Sequence, residues 1–146
     1  MAPMLYAQLA LIGKYSLEEL AQLRQWGSPT TGHPEFEVAR GVENTSGPLG
    51  QGHTFAVGAA IAAKFLAAHT GNPTFAKETI YAYISDGGIQ EEISQGAARI
   101  AAVLGLDNLI MFYDSNDIQL STETGEVMNE DTAAKYRALG WEVLEI

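Results

Sequence analysis

Two apolar runs of strand length, separated by an apolar repeat of helix length, constrain the fold of this chain more than any other feature. Residues 79–85 (TIYAYIS) predict a buried strand, and residues 109–113 predict a second one. Between them, apolar side chains recur at helical spacing from Ile89 to Leu104. A further helix over 131–139 and a third strand over 141–146 are predicted next. This order predicts an α/β fold, a parallel sheet flanked by helices and joined by right-handed crossovers.

In the first part of the chain, the sequence predicts two helices, then one long loop, then a third helix. Residues 4–12 form an apolar run of helix length, and Ser16 and Glu19 have the spacing of a capping box at the start of a second helix. Residues 26–52 are rich in Gly, Pro, Thr and Ser, and a loop of this length in a compact domain is more often functional than not. Residues 54–69 predict a helix that is apolar nearly all round and therefore buried.

Composition limits the classes of function. Eight basic and eighteen acidic side chains give a net charge of −10, which argues against nucleic acid or an anionic membrane as the main partner. The chain has no cysteine, so thiol catalysis, disulfides and Cys-ligated zinc are excluded. The apolar start is too short to span a bilayer. We expect one domain, residues 1–146, in the cytoplasm. Because the chain is acidic, an anionic ligand would need a metal, backbone amides or a helix terminus to hold it.

Polar residues follow both predicted strands at the point where each strand ends. Asp86, Gly87 and Gly88 follow the first strand, and Asn116 lies thirty residues after Asp86. Ligands of open parallel sheets bind at the carboxyl ends of the strands, so neighbouring strands would bring Asp86 and Asn116 together. Their oxygens suit Mg²⁺ or Ca²⁺, and the backbone amides at Gly87 suit a diphosphate. Taken alone, such residues after a strand more often form plain turns than a metal site.

Three motifs of the chain resemble motifs of transketolases and occur in the same order along the sequence. Ser85-Asp86-Gly87, followed by Asn116, is similar to the GDG…N motif that binds thiamine diphosphate in that family. Residues 32–35 (GHPE) and 47–52 (GPLGQG) resemble two further loops of the same family, and the resemblance covers nearly the whole chain. Ser85 stands where the family has the first Gly of GDG. We expect this departure to alter packing without abolishing metal binding.

The resemblance assigns a role to each matching residue. It implies that Asp86 and Asn116 bind the metal through side-chain oxygens, that Ile118 adds its backbone carbonyl, and that Gly87 donates its amide to the diphosphate. It also implies that Gly47 and Leu49 line the cofactor near its aminopyrimidine ring. His33 would face the substrate, and Glu91 would link the two cofactor sites across a dimer.

The resemblance also implies a function. It predicts thiamine diphosphate with Mg²⁺ or Ca²⁺ as cofactors and two-carbon ketol transfer between sugar phosphates, as in the pentose phosphate pathway. The family fold is the diphosphate-binding (PP) module. Here we expect it to be incomplete, because the chain stops within a predicted strand. The pyrimidine-binding domain would come from the same enzyme or a second chain, in a dimer or larger assembly.

Three interpretations of the chain remain open. It is a subunit of a split transketolase, a fragment of a longer one, or a non-catalytic transketolase-like binding or interaction module. In each case we expect the isolated chain to be inactive without the pyrimidine-binding domain.

Overall fold

The computed structural model describes residues 1–146, which divide into two compact units, Met1–Pro48 and Leu49–Ile146. In the first unit, helix α1 spans Ala2–Leu11 and helix α2 spans Leu17–Ala21. The predicted capping box is confirmed, because Ser16 and Glu19 exchange side-chain to backbone hydrogen bonds at the start of α2.

The core of the first unit is small and partly aromatic. Tyr6, Leu9, Tyr15 and Val42 are buried together, and the rings of Tyr6 and Tyr15 meet edge to face with 5.3 Å between centroids. The Arg40 guanidinium lies 4.6 Å from the centre of the Tyr15 ring. This core holds the long loop of the unit, which contains one short 3₁₀ turn at Val38–Arg40.

The second unit contains the predicted alternation of strands and helices. Its elements, in order, are α3 (Gln51–Thr70), α4 (Pro73–Ala76), β1 (Ile80–Ser85), α5 (Asp86–Gln90), α6 (Glu92–Val103), β2 (Leu109–Asp114) and α7 (Thr132–Leu139). A 3₁₀ turn at Thr124–Glu126 lies between β2 and α7. None of the helices in either unit is both long enough and apolar enough to cross a membrane.

The sheet has two parallel strands, as the crossover through α6 requires. Ile80 pairs with Leu109 at one end, and Ser85 pairs with Asp114 at the other. The carboxyl ends of both strands therefore lie side by side, which positions the residues that follow each of them.

Small residues form the main core of the second unit. Ala56, Val57 and Ala60 of α3 pack with Ala97 and Ala101 of α6 against the sheet. Alanine side chains let helix and strand approach closely, and the burial of this alanine-rich face of α3 agrees with the prediction. A second cluster contains Ile84, Ile89, Ala98 and Tyr136. Both clusters lie against the strands that carry the predicted site.

The prediction that α3 is buried all round is wrong in this structure. Its large apolar residues, among them Phe55, Ile61 and Phe65, are exposed, and Phe65 is 62% exposed. The helix therefore has two apolar faces, of which only the small-residue face is packed. The even spread of apolar residues in the sequence could not distinguish them.

Three further predictions differ from the structure. Residues 86–88 are not a plain turn but the start of α5, and the predicted helix over 89–104 is interrupted at Glu91, whose ψ of 132° is extended. Residues 141–146 form no strand. Trp141 instead donates its indole N–H to the Ala98 carbonyl at 3.0 Å, so packing on a helix replaces a strand ladder at this segment.

Candidate functional site

The two predicted metal ligands on neighbouring strands meet in the structure. Asp86 is the first residue of α5, directly after β1, and Asn116 lies two residues after β2. The backbone N–H of Asn116 donates to Asp86 Oδ2 at 3.1 Å. Because β1 and β2 are parallel and in register, this contact follows from the topology rather than from local sequence.

Asp86 is a buried carboxylate without a basic partner. Asp86 is 1% exposed, and it takes part in none of the ion pairs in the chain. Its other oxygen, Oδ1, accepts a hydrogen bond from the Tyr113 hydroxyl. Burial and then the Asp86 carboxylate raise the pKa of Tyr113, so its hydroxyl stays protonated and donates at neutral pH. A buried charge that lacks a counter-charge is expensive, and a cation at this carboxylate would supply one.

The turn after β2 arranges the other two predicted ligands. The Asn116 side-chain oxygen accepts from the Ile118 N–H at 3.2 Å, and its amide nitrogen donates to Asp114 Oδ2 at 3.1 Å. Asp117 has a φ of 61°, in the left-handed region that Asp tolerates better than most residues. Asn116 and Ile118 are both exposed, next to the buried Asp86. An amide oxygen has two lone pairs, so the Asn116 oxygen keeps one for a metal.

Gly87 lies between Leu49 and Gln119. A Cβ built at Gly87 would lie 3.4 Å from Leu49 Cδ2 and 4.0 Å from both Cβ and Oε1 of Gln119. As the second residue of α5, Gly87 has one of the amides that no intrahelical acceptor satisfies. The structure thus brings Leu49 and Gly87, two of the predicted cofactor-binding residues, together. Gln119 also accepts from the Gln90 side chain at 3.1 Å, which joins the segments that follow β1 and β2.

Glu91 lies at the break between α5 and α6 and contacts the predicted glycine loop. A Cβ built at Gly50 would lie 2.7 Å from Glu91 Cβ and 3.1 Å from Ile93 Cγ2. Gly50 also has a φ of 81°, which strains any other residue. The end of the GPLGQG loop is therefore fitted closely to the backbone around Glu91.

His33 and Gly47 lie in the first unit and contact each other. A Cβ built at Gly47 would lie 3.7 Å from His33 Cγ. The His33 side chain is exposed, while its backbone carbonyl accepts from the Thr31 hydroxyl at 2.7 Å. Thr31 in turn is hydrogen-bonded to the Tyr6 hydroxyl at 3.2 Å. The GHPE loop is thus tied to α1 through Thr31.

Two polar features were not predicted from the sequence. One is the bond from Tyr113 to Asp86; a Tyr as the last residue but one of an apolar strand needs a partner for its hydroxyl, which was the available signal. The other is the fully buried pair of His53 and Ser94, whose Nδ1 and Oγ atoms lie 2.7 Å apart. Burial lowers the pKa of His53 to about 4, so the imidazole is neutral at pH 7.

An open cleft of about 590 Å³ lies beside β2 in the second unit and reaches Asp86. Its lining includes no Lys, Arg or His. The acidic residues in that lining are Asp86, Asp117, Glu130, Asp131, Glu142 and Glu145. Glu130 and Glu145 are paired with Lys135 and Arg137, but the other four acidic residues have no basic partner. The surroundings of Asp86 therefore favour a cation, and an anion would bind there only together with one.

Comparison with known proteins shows the family of this chain. The family profile described as "Transketolase, thiamine diphosphate binding domain" matches residues 1–146. The transketolase of Mycobacterium leprae is 47% identical over 150 residues, covering 97% of this chain and 21% of that protein. The transketolase of Staphylococcus epidermidis is 46% identical over 140 residues, covering 94% of this chain and 21% of that protein. The chain thus spans about a fifth of the length of these relatives.

Solved structures agree with the sequence comparison. The transketolase of Leishmania mexicana superimposes with a TM-score of 0.82 at 42% identity, over 95% of this chain and 22% of that one. A transketolase from Pichia stipitis, solved as a complex with sedoheptulose 7-phosphate, gives a TM-score of 0.81 at 38% identity, over 97% of this chain and 21% of that one. These matches confirm the α/β fold.

Proposed function

This chain belongs to the transketolase family of thiamine diphosphate-binding domains, and we propose that its second unit anchors the cofactor diphosphate through a divalent cation. Asp86, Asn116 and the Ile118 carbonyl would hold the cation. The observation that carries this proposal is the contact between Asp86 and Asn116 at the adjacent ends of two parallel strands.

The donor set fits a hard cation. One carboxylate, one amide oxygen and one backbone carbonyl are the oxygen ligands that Mg²⁺ and Ca²⁺ accept, and diphosphate oxygens and water would complete the shell. Asp86 is buried without a basic partner, so a cation would supply the missing counter-charge. We propose Mg²⁺ as the metal and Ca²⁺ as a functional substitute.

Four other residues have proposed roles around the cofactor. Gly87 donates its free amide to the diphosphate at the start of α5, and a side chain there would meet Leu49. Leu49 and Gly47 line the aminopyrimidine end. Glu91 links paired sites across a dimer. These assignments rest on the family motifs together with the contact of Leu49 and Gly87.

His33 is the proposed substrate-facing residue. Thiamine diphosphate, when bound, supplies a nucleophilic carbon and an electron sink for breaking a carbon–carbon bond. Near that centre, an imidazole N–H of His33 would donate to a substrate oxygen on which negative charge develops. His33 is exposed, and its loop is held by Thr31, which leaves the imidazole accessible to such a ligand.

The reaction of the whole protein is also a proposal. We propose two-carbon ketol transfer between sugar phosphates, since a related structure is a complex with sedoheptulose 7-phosphate. We also propose that the protein acts in the cytoplasm. Residues 1–146 would be part of the N-terminal domain, and a pyrimidine-binding domain from the same enzyme or a second chain would complete the site in a dimer or larger assembly. The chain alone would not turn over substrate.

Calorimetric titration tests the anchoring site. Thiamine diphosphate is titrated into the chain with Mg²⁺ and then with EDTA, and the series is repeated with Asp86→Asn. We expect binding that depends on Mg²⁺ and is lost in the variant. Asp107→Asn is the matched control, because this residue precedes β2 at the opposite end of the strand, with an 85% exposed side chain.

Two results would reject the proposal. Binding that is unchanged by Asp86→Asn would place the diphosphate elsewhere. Absence of binding by a folded wild-type chain would favour a non-catalytic interaction module, or a site that requires the pyrimidine-binding domain, over an anchor that works within this chain.

A further inference from the structure

The Asp86 carboxylate is held at both oxygens by groups of the neighbouring strand and its turn. The Tyr113 hydroxyl donates to Oδ1, and the Asn116 backbone N–H donates to Oδ2 at 3.1 Å. Tyr113 belongs to β2, whereas Asp86 follows β1. The carboxylate is therefore fixed relative to both strands, and not only to the helix that it begins.

These bonds leave the carboxylate able to bind a cation. Each oxygen of an ionised carboxylate has two lone pairs, and one hydrogen bond at each oxygen leaves one lone pair free. The two bonds prevent the Asp86 carboxylate from rotating, because donors at its two separate oxygens fix the plane of the group. A buried carboxylate in one fixed plane offers its free lone pairs in fixed directions.

We propose that Tyr113 is a positioning residue for the divalent cation: its hydroxyl orients Asp86 so that the carboxylate meets the geometry of Mg²⁺. This inference rests on the proposed role of Asp86. Mg²⁺ requires near-octahedral geometry at short distances, whereas Ca²⁺ accepts flexible coordination. Tyr113 therefore strengthens Mg²⁺ binding more than Ca²⁺ binding and contributes to the choice of metal.

Tyr113→Phe isolates this role. The ring of Tyr113 packs beside the cluster of Ile84, Ile89 and Tyr136, and a Phe ring keeps that packing. We therefore expect the variant to lose one hydroxyl and keep the fold, and thermal unfolding without ligand checks this. Tyr81→Phe is the matched control, because it removes a hydroxyl from the same sheet at a side chain that is 60% exposed.

The test is calorimetric titration of thiamine diphosphate with either Mg²⁺ or Ca²⁺ present. Loss of a residue that orients a metal ligand typically weakens binding by about 10- to 100-fold, and we expect a loss of this size for Tyr113→Phe with Mg²⁺. We expect a smaller loss with Ca²⁺ and no change for Tyr81→Phe.

The remaining outcomes separate this inference from the proposed function. If Asp86→Asn abolishes binding and Tyr113→Phe leaves it unchanged, the role of Tyr113 is rejected and the anchor stands. An equal loss with both metals rejects metal-specific positioning. Absence of Mg²⁺-dependent binding in the wild-type chain rejects the anchor and this inference together.

Discussion

His53 places an imidazole in the interior of the second unit. Its imidazole is buried, Nδ1 is hydrogen-bonded to Ser94, and Nε2 is buried without a partner. Protonation would place a positive charge in an apolar core, which is why burial lowers the pKa of His53 to about 4.

The stability of the chain should depend on pH through His53. An unfolded His takes up a proton near pH 6.5, whereas folded His53 takes it up near pH 4, so the unfolded state binds more protons between these values. The contribution of His53 to stability is therefore expected to fall by about 3 kcal/mol as the pH falls from 7 to 4. Urea unfolding at several pH values measures this change. His53→Leu should make the free energy of unfolding depend less on pH between 4 and 7. The same pH dependence in that variant as in the wild type would contradict a lowered pKa of His53.

At the residue scale, the sequence predicted that Asp86 and Asn116 lie close together, but it did not predict the hydrogen-bond partners of Tyr113 and His53. Asp86 and Asn116 were predictable because parallel strand ends meet at one edge. The partners of Tyr113 and His53 depend on how helices and strands pack in three dimensions. No spacing along the chain encodes these contacts.

At the scale of elements, two glycines differ in how closely their surroundings pack against them. Gly50 combines a φ of 81° with a site where a Cβ would lie 2.7 Å from Glu91 Cβ. Gly58, in the middle of α3, has nothing within 4 Å of a built Cβ. The same substitution at these two positions should therefore have opposite effects.

Gly50→Ala should destabilise the second unit, and Gly58→Ala should stabilise it. A left-handed backbone and a tight contact together are expected to cost about 2 to 4 kcal/mol at Gly50. At Gly58, the helix propensity of Ala should add up to about 1 kcal/mol. Denaturant unfolding measures both changes. Equal stability of Gly50→Ala and the wild type would show that the loop is not fitted to Glu91 in solution.

Elements with strong local signals were predictable, and those that need a distant partner were not. The strands, α3 and the capping box of α2 agree with their sequence patterns. Residues 141–146 are mostly apolar, as in a buried strand, but a strand exists only with a hydrogen-bonded neighbour, and here Trp141 packs on α6 instead. The interruption at Glu91 was hidden because apolar spacing continues across it.

At the scale of the whole molecule, the unpacked face of α3 is an exposed apolar surface on a helix of twenty residues. It includes Phe55, Ile61, Phe65 and Leu66 on one long helix. Apolar patches of this kind on soluble domains mark sites of association. We therefore expect the purified chain to self-associate through α3 as its concentration rises.

Sedimentation velocity at increasing concentration tests this expectation. Phe55→Ser with Phe65→Ser should shift the distribution toward the monomer. Leu120→Ser, which removes a fully exposed apolar side chain outside α3, is the control and should leave the distribution unchanged. A monomer at every concentration, or association that survives the double substitution, would contradict the role of α3.

We propose that Asp86, Asn116 and Ile118 form a metal site for the cofactor diphosphate. A crystal structure of the chain grown with thiamine diphosphate and Mg²⁺ would show whether they do. We expect Mg²⁺ at about 2.1 Å from an Asp86 carboxylate oxygen, the Asn116 side-chain oxygen and the Ile118 carbonyl oxygen, with diphosphate oxygens completing the shell. A cofactor bound with its metal on other residues, or a chain that crystallises without cofactor at saturating concentration, would contradict it.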